Sequence, residues 1–494
     1  MAGRRYFQRG HASVSASYPG SGHGGPFRWA VGAGSLAAIA AVSWLISSFM
    51  GHESTSVTSA AIESSPALAD PPVQAPSLLN SALAKIQGNP ARASGLMSVD
   101  FSEDTLKRTE PFMGKAEARL LGIYELVRQA RHREALSQAE ALTRDHPNFQ
   151  LAQLVLGDLL TLQTRPIRTL GDVPDTKALA AEQQLGVLRE QSRRRLLALT
   201  ERPPEGAVPT QFLSLSTQSR HAIAVDASRS RLYLFENVSV AAGVDGSDKS
   251  HSPARLKLVG DYYISVGQSG IDKLLEGDLR TPVGVYYITS SLDPSRLPDL
   301  YGSGALPINY PNALDVQRGK TGSGIWLHGS PSEQFARPPQ ASEGCVVLSN
   351  PDFESVLARV ETRTTPVVIA NELNWVDPSA LDQDRRRFQA SLEAWRQSKS
   401  KGNLDQLRTH YSDQFNNQGQ SLNDWWPRVT SEVKAQGARE VQLKELSMLN
   451  WRDKDDTMVV TFGEVAQGQT RGLTKRQYWI REEDQWKIFY EGPV

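Results

Sequence analysis

The sequence predicts a chain of several domains: a membrane-spanning helix, a helical module, a mainly-β domain and a C-terminal α+β domain. Three observations carry this expectation. Trp29 to Met50 runs 22 residues without a charge. Residues 115–200 repeat apolar side chains at spacings of three and four, whereas residues 210–372 break into short apolar runs punctuated by Gly and Pro. Residues 385–494 show helical spacing first and strand-like runs after it, the order of an α+β unit.

The length of 494 residues leaves room for roughly three domains of ordinary size. Lys+Arg and Asp+Glu are both 54, so the formal net charge is zero. That balance lacks the basic footprint of a nucleic-acid-binding chain, and no nucleic-acid partner is expected. Cys345 is the one cysteine, which excludes an intramolecular disulfide and a Cys₄ or Cys₂His₂ zinc site.

Residues 1–28 form a basic tail with Arg4, Arg5, Arg9 and Arg28 and no acidic residue. The uncharged stretch 29–50, as a helix, rises about 33 Å, enough for a hydrocarbon core of about 30 Å. Trp29 and Trp44 suit its interfaces. A cleaved signal peptide is the alternative, but the run exceeds the usual 7–15-residue apolar region. Arginines ahead of the span place the tail in the cytoplasm, so the expectation is a single-pass inner-membrane protein with its body in the periplasm. Residues 51–114, rich in Ser, Ala and Pro over much of their length, read as a disordered spacer.

In the helical module, residues 115–200, Leu120, Leu121, Tyr124 and Val127 share one face, and Ala135, Leu136, Ala139 and Leu142 share the next. Leu151, Val155 and Leu159 resume the pattern after His146-Pro147, and a further helix is expected near 176–200. Ala135 to Pro147 has the spacing of the second helix of a tetratricopeptide (TPR) unit, so the module reads as TPR-like. In residues 210–372, Ala222–Val225 and Leu232–Phe235 flank a polar turn and read as a hairpin; 256–258, 262–266, 283–288 and 367–369 are further strands. In residues 385–494, Phe388, Leu392 and Trp395 mark a helix, and strands are expected near 439–448, 457–463, 473–481 and 486–491. Trp395, the closing Trp486-Lys487-Ile488-Phe489-Tyr490-Glu491 and this order of elements make the segment similar to the nuclear-transport-factor-2-like (NTF2-like) family. The resemblance implies helices packed in a curved sheet that binds a small ligand or dimerises.

Chemistry concentrates in residues 273–352. Cys345 lies in Ser342-Glu343-Gly344-Cys345-Val346-Val347-Leu348, and His328 ends the apolar run Ile325-Trp326-Leu327-His328 before Gly329. A lone cysteine is often a buried hydrophobe, but a free thiol outside the cytoplasm is an oxidation liability and wants a reason. Acyl transfer by cysteine needs a thiolate, a basic partner and oxyanion donors, which His328, Cys345 and the amides of Gly344 and Cys345 can supply.

His328-Gly329, Ser342-x-Gly344-Cys345-Val346 and Asp352 together match a signature that resembles the L,D-transpeptidase (YkuD-type) catalytic domain family. A second block, Lys273, Glu276-Gly277-Asp278 and Arg280-Thr281-Pro282-Val283-Gly284-Val285-Tyr286, strengthens the resemblance, which covers about 150 residues. It implies that Cys345 attacks a peptidoglycan stem peptide and forms a thioester, that His328 takes the thiol proton, that Ser342 orients the imidazole, and that Gly344 and Cys345 amides hold the oxyanion. In the family the broken bond joins diaminopimelate or its equivalent to D-Ala. The acceptor is a stem amine or a lipoprotein lysine, so wall-associated proteins are possible partners, and cell-wall synthesis and cell shape are the expected processes. No cofactor and no metal is implied.

Two positions depart from the family pattern: Glu343 stands where His is common, and Val347 where an Arg linked with substrate carboxylates is common. Arg337 or Lys320 can supply the missing cation. Gly329 and Tyr310 complete the expected substrate-binding set, Tyr310 within the segment Pro307–Asn312, although its ring is equally a packing residue. Asn350-Pro351-Asp352 reads as a capped helix start, with Asp352 structural. Lys273, Glu276 and Asp278 read as a solvated loop or the cleft rim. Two alternatives to transfer remain open in the sequence: a hydrolase using the same Cys–His pair, and a wall-binding scaffold.

Overall fold

Helices that share one apolar core open the described part of the chain. The computed structural model describes residues 103–238, 255–437 and 439–494. The basic tail, the expected span at 29–50 and residues 51–102 of the expected spacer lie outside them. Among the described residues, no helix is long and apolar enough to cross a membrane.

The helices are α1 (Glu103–Thr109), α2 (Lys115–Arg128), α3 (His132–Asp145), α4 (Gln150–Leu162) and α5 (Asp175–Thr200). Leu120, Leu121, Tyr124, Ala135, Ala139, Leu142, Leu151, Val155 and Leu159 are buried together, as the 3–4 spacing requires. The expected spacer therefore ends earlier than residue 114: α1 already folds, with Thr109 fully buried.

The catalytic-type region begins with β1 (Val208–Pro209) and β2 (Phe212–Ser214), then β3 (His221–Asp226), β4 (Arg231–Asn237), β5 (Leu256–Tyr263), β6 (Val266–Gly267) and β7 (Gly284–Tyr287). After β8 (Ala305–Pro307) and α6 (Ala313–Gln317) come β9 (Trp326–His328), β10 (Gln340–Ser342), β11 (Val346–Val347), α7 (Asn350–Leu357), β12 (Pro366–Ala370) and β13 (Trp375–Val376). A five-stranded sheet runs β5-β4-β3-β12-β7, and a three-stranded sheet runs β11-β9-β8. β3 and β12 are central and apolar on both faces, as interior strands tend to be. Ile223, Val225, Val367 and Ile369 point into a core shared with Leu327, Val346, Phe353 and Val356. Ala222, Ala224, Val368 and Ala370 point the opposite way.

That opposite face meets the C-terminal domain. Its elements are α8 (Asp382–Ser400), α9 (Leu404–Arg408), β14 (Asn416–Asn417), β15 (Gln420–Ser421), α10 (Leu422–Gln436), β16 (Val441–Arg452), β17 (Asp456–Ala466), β18 (Leu473–Glu482) and β19 (Gln485–Pro493). Leu449, Trp451, Val459, Tyr478 and Phe489 pack on the catalytic sheet. Met448, Met458, Val460, Phe462, Trp479 and Ile488 face α8 and α10, meeting Phe388, Leu392, Trp395, Trp425, Val429 and Val433. One face of the curved sheet is thus covered from within the same chain.

The boundaries expected at 210 and 385 are crossed twice. β2 joins the C-terminal sheet as its fifth strand beside β16, with Phe212 opposite Leu449 and Ser214 opposite Met448. β1 pairs with β13. Arg318 also reaches across, bonding Asp453 at 2.6 Å and Asp455 at 2.8 Å.

Candidate active site

The strand register decides which side chains share a face. β9 and β11 pair in parallel, with Leu327 opposite Val346 and His328 opposite Val347. Leu327 and Val346 are buried in the core. Side chains alternate along a strand, so His328 and Trp326 turn to the other face, and so does Cys345 at the mouth of β11. The Trp326 amide donates to the sulfur. The thiol lies 3.6 Å from the Gly324 carbonyl and is half-buried, with part of its surface open to solvent.

Two neighbours hold the imidazole. His328 Nδ1 lies 2.7 Å from the Gly329 carbonyl, so the neutral ring carries its proton there and keeps Nε2 as an acceptor. The Tyr301 ring meets His328 edge-on at 5.0 Å and 76°, and it packs on Trp326 at 4.7 Å. The Tyr301 carbonyl accepts from Gly329 N–H at 3.1 Å. A Cβ on Gly329 would run into Asn350 Oδ1 and lie 2.9 Å from the backbone nitrogen of Ser303, so the residue after the histidine has to be glycine.

The turn before the thiol is equally constrained. Gly344 sits at φ +127°, and a Cβ there would lie 2.7 Å from the Arg280 carbonyl. Ser342 Oγ donates to the Cys345 carbonyl at 2.6 Å and accepts from Gly344 N–H at 3.1 Å. The Ser342 hydroxyl is therefore used within the turn that leads to Cys345, whereas the resemblance implied a place beside the imidazole. It also occupies the Gly344 amide. The Cys345 amide has no partner among the described residues.

Electrostatics keep the resting pair neutral. Burial pushes the Cys345 thiol up to about 11, helped by Glu343 and opposed by the Trp326 amide and the Arg337 charge. Burial pulls the His328 imidazole down to about 4, against the Gly329 carbonyl and with the help of Arg337. The resting site therefore holds an uncharged thiol and an unprotonated imidazole and not an ion pair.

The expected cation positions part company. Arg337 is half-buried and its charge is felt at the sulfur; among the described residues its Nη1 reaches only the Ala341 carbonyl, at 3.5 Å, and its buried Nε has no hydrogen-bond partner. Lys320 is buried and committed to Asp272 at 3.2 Å and Asp315 at 3.6 Å. Tyr310 lies in the core, its hydroxyl donating to the Thr321 carbonyl at 3.0 Å. Lys273, expected on a solvated loop or rim, is buried instead, with Asp278 at 2.8 Å and the Leu275 carbonyl at 3.0 Å. The cap of α7 is Ser349 rather than Asn350: its side chain accepts from Asp352 N–H at 3.3 Å, and Asp352 is buried. Val347 is buried, so nothing on β11 replaces the family's arginine. Tyr301 escaped the sequence reading because it belongs to neither motif block. Among the described residues, no group of three or more His, Cys, Asp or Glu side chains could hold a metal ion.

Comparison with known proteins accounts for two segments. The family model of the L,D-transpeptidase catalytic domain (YkuD) matches residues 220–369, and that of the Cds6 C-terminal NTF2-like domain matches residues 387–492. No curated protein matches the chain. Among solved structures, Bd1075 of Bdellovibrio bacteriovorus is similar at 25% identity over 58% of this chain and 98% of that one, with a TM-score of 0.47. The helical cell shape determining protein Pgp2 of Campylobacter jejuni is similar at 17% identity over 59% and 96%, with a TM-score of 0.43. L,D-transpeptidase 3 of Mycobacterium tuberculosis is similar at 19% identity over 31% and 61%, with a TM-score of 0.18.

Proposed function

We propose, from the premise that residues 220–369 belong to the L,D-transpeptidase catalytic-domain family and residues 387–492 to the NTF2-like family, that this protein is a cysteine acyltransferase of peptidoglycan stem peptides. The coarse part of this statement, a peptidoglycan-related function of L,D-transpeptidase type, follows from the family. The finer part is supported by one observation: a half-open thiol and an imidazole with a free Nε2 lie on one face of two paired strands.

The steps follow from that geometry. His328 Nε2 takes the Cys345 proton as the sulfur bonds to the stem carbonyl carbon, and the Cys345 amide receives the negative oxygen. The C–N bond breaks as His328 returns the proton to the leaving amine, which leaves a thioester. An acceptor amine then attacks the thioester carbon and gives its proton to His328, and the expelled sulfur recovers it. Arg337 supplies a positive charge for a substrate carboxylate. The uncharged run 29–50 supports an inner-membrane anchor with the catalytic part in the periplasm, and the acceptor would be a second stem or a wall-associated protein.

Full-length protein in detergent, incubated with purified muropeptides and read by mass spectrometry, tests the proposal. Cross-linked dimers are expected. Trimmed stems without dimers would mean that water is the acceptor, and no turnover would leave a binding scaffold. Cys345→Ala is expected to abolish all products; persistence of products would refute the nucleophile.

A further inference from the structure

The segment between β9 and β10 connects the histidine strand to the nucleophile turn, and it is fastened outside its own domain. Phe335 is buried in the core of the helical module. Its ring stacks on Phe149 at 4.2 Å and 25°, and it meets His146 edge-on at 5.1 Å. Its N–H donates to the Asn148 carbonyl at 3.1 Å, while Asn148 Nδ2 donates to the Ser332 carbonyl at 3.0 Å. Two residues on, the Arg337 carbonyl accepts from Tyr263 Oη at 3.0 Å, and the Tyr263 ring carries the Arg195 guanidinium of α5 at 3.7 Å from its centre. The Phe335 end of the segment is therefore set by the module itself, and the Arg337 end by Tyr263 of β5, on which the module's Arg195 rests. The module in turn is locked to the catalytic sheet by Glu117, which bonds the buried Arg231 at 2.7 Å, while Arg231 bonds Asp261 at 2.6 Å.

We propose that the helical module positions the substrate cation of the active site: the turn His146–Phe149 grips Phe335 and so holds the Arg337 guanidinium beside the Cys345 sulfur, where it receives a carboxylate of the stem peptide. The module is then a working part of the donor pocket as well as a support. Phe335, Phe149 and Tyr263 are positioning residues acting through Arg337. The choice of carboxylate ligand rests on the proposed reaction; the placement of the cation rests on the fastening of Phe335 and Arg337 and on the contact of Arg337 Nη1 with the carbonyl of Ala341, four residues before the thiol.

The single cysteine allows a test that needs no turnover. Alkylation of Cys345 in the full-length protein by anionic iodoacetate and by neutral iodoacetamide gives a rate ratio that reports positive charge at the thiol. Arg337→Ala is expected to lower that ratio several-fold. Phe335→Ala and the milder Phe149→Leu are expected to lower it in the same direction, with no further drop when combined with Arg337→Ala. Phe335→Tyr, which keeps the stacked ring, is expected to restore it. A loosened fold would change both reagent rates together and leave the ratio alone. An unchanged ratio in Arg337→Ala would place the cation elsewhere. A lowered ratio in Arg337→Ala with an unchanged ratio in both phenylalanine variants would overturn the positioning role. Loss of muropeptide turnover without a change in the ratio would bear on the reaction and not on this inference.

Discussion

Lys475 and Arg337 are both cations drawn out of water, yet their surroundings act on them in opposite directions. In the C-terminal domain, the Lys475 ammonium bonds Glu432 at 2.5 Å and Glu464 at 3.2 Å, and Lys399 bonds Glu464 at 2.6 Å. Beside them Gln477 donates to Glu491 at 2.5 Å and accepts from Trp479 at 3.0 Å. Burial works against the charge on Lys475, but Glu491, Glu464 and Glu432 outweigh it and hold the proton affinity well up. At the candidate site, burial lowers the proton affinity of Arg337, and among the described residues no carboxylate bonds it to redress the balance. In the C-terminal cluster cations and carboxylates pair with one another, while the candidate site leaves the Arg337 Nε and the Cys345 amide without partners among the described residues.

That contrast can be broken at either end. The largest expected effect belongs to the closed cluster. Lys475→Met removes a buried cation from the half-buried Glu432 and Glu464 and from the buried Glu491 and should cost about 3–5 kcal/mol of unfolding free energy, while turnover per folded molecule stays near wild type. Denaturant midpoints together with active-site titration check both parts, and a stable but inactive variant would tie the cluster to catalysis.

A somewhat smaller effect tests the open end through pH. Burial holds folded His328 at about 4, below its ordinary 6.5. As pH falls from 6.5 to 4, the unfolded chain takes up a proton that the folded site refuses, so stability drops through that window and no further below it. The drop attributable to His328 is about 3 kcal/mol. Asp352, pushed up to about 6 by burial, works in the other direction, costing stability as pH rises from 3.8 to 6. Comparing urea midpoints of the wild type and His328→Gln at pH 7 and pH 4 separates the two. Equal pH slopes would mean that the ring is not desolvated.

The smallest effect concerns the turn between these extremes. Ser342→Ala removes one hydroxyl that serves the Gly344 amide and the Cys345 carbonyl. It should cost about 1–3 kcal/mol, and turnover should fall more than stability because the thiol's own backbone loosens. Thermal melts beside muropeptide rates check this; a loss confined to stability would show the turn to be scaffolding alone.

Much of the cleft was legible in the sequence because its chemistry demands particular atoms close together in the chain. His328-Gly329 and Ser342-x-Gly344-Cys345 needed no long-range information to be singled out. The helices were equally readable, since the spacings at Leu120–Val127 and Phe388–Trp395 are local. What the sequence hid depends on partners far away. Tyr301 reaches His328 through a separate turn, and Lys320 looks like a free loop cation until Asp272 and Asp315 close on it. Ser342 offered a hydroxyl near the thiol, but only the folded turn shows that it faces Gly344 and not the ring. The grip on Phe335 could not be read either, because an exposed-looking loop and a helix turn far upstream share no pattern.

The strand Phe212–Ser214 has a consequence for how this protein is made. It leaves the ribosome long before the chain reaches residues 441–452, the only strand it pairs with among the described residues. Through most of synthesis an apolar edge stays open, so the enzyme-like middle of the chain cannot be finished ahead of its tail. A stop codon anywhere before residue 448 would therefore damage more than the tail it removes, and exchanging the tail for that of a distant relative would also mean exchanging these three residues.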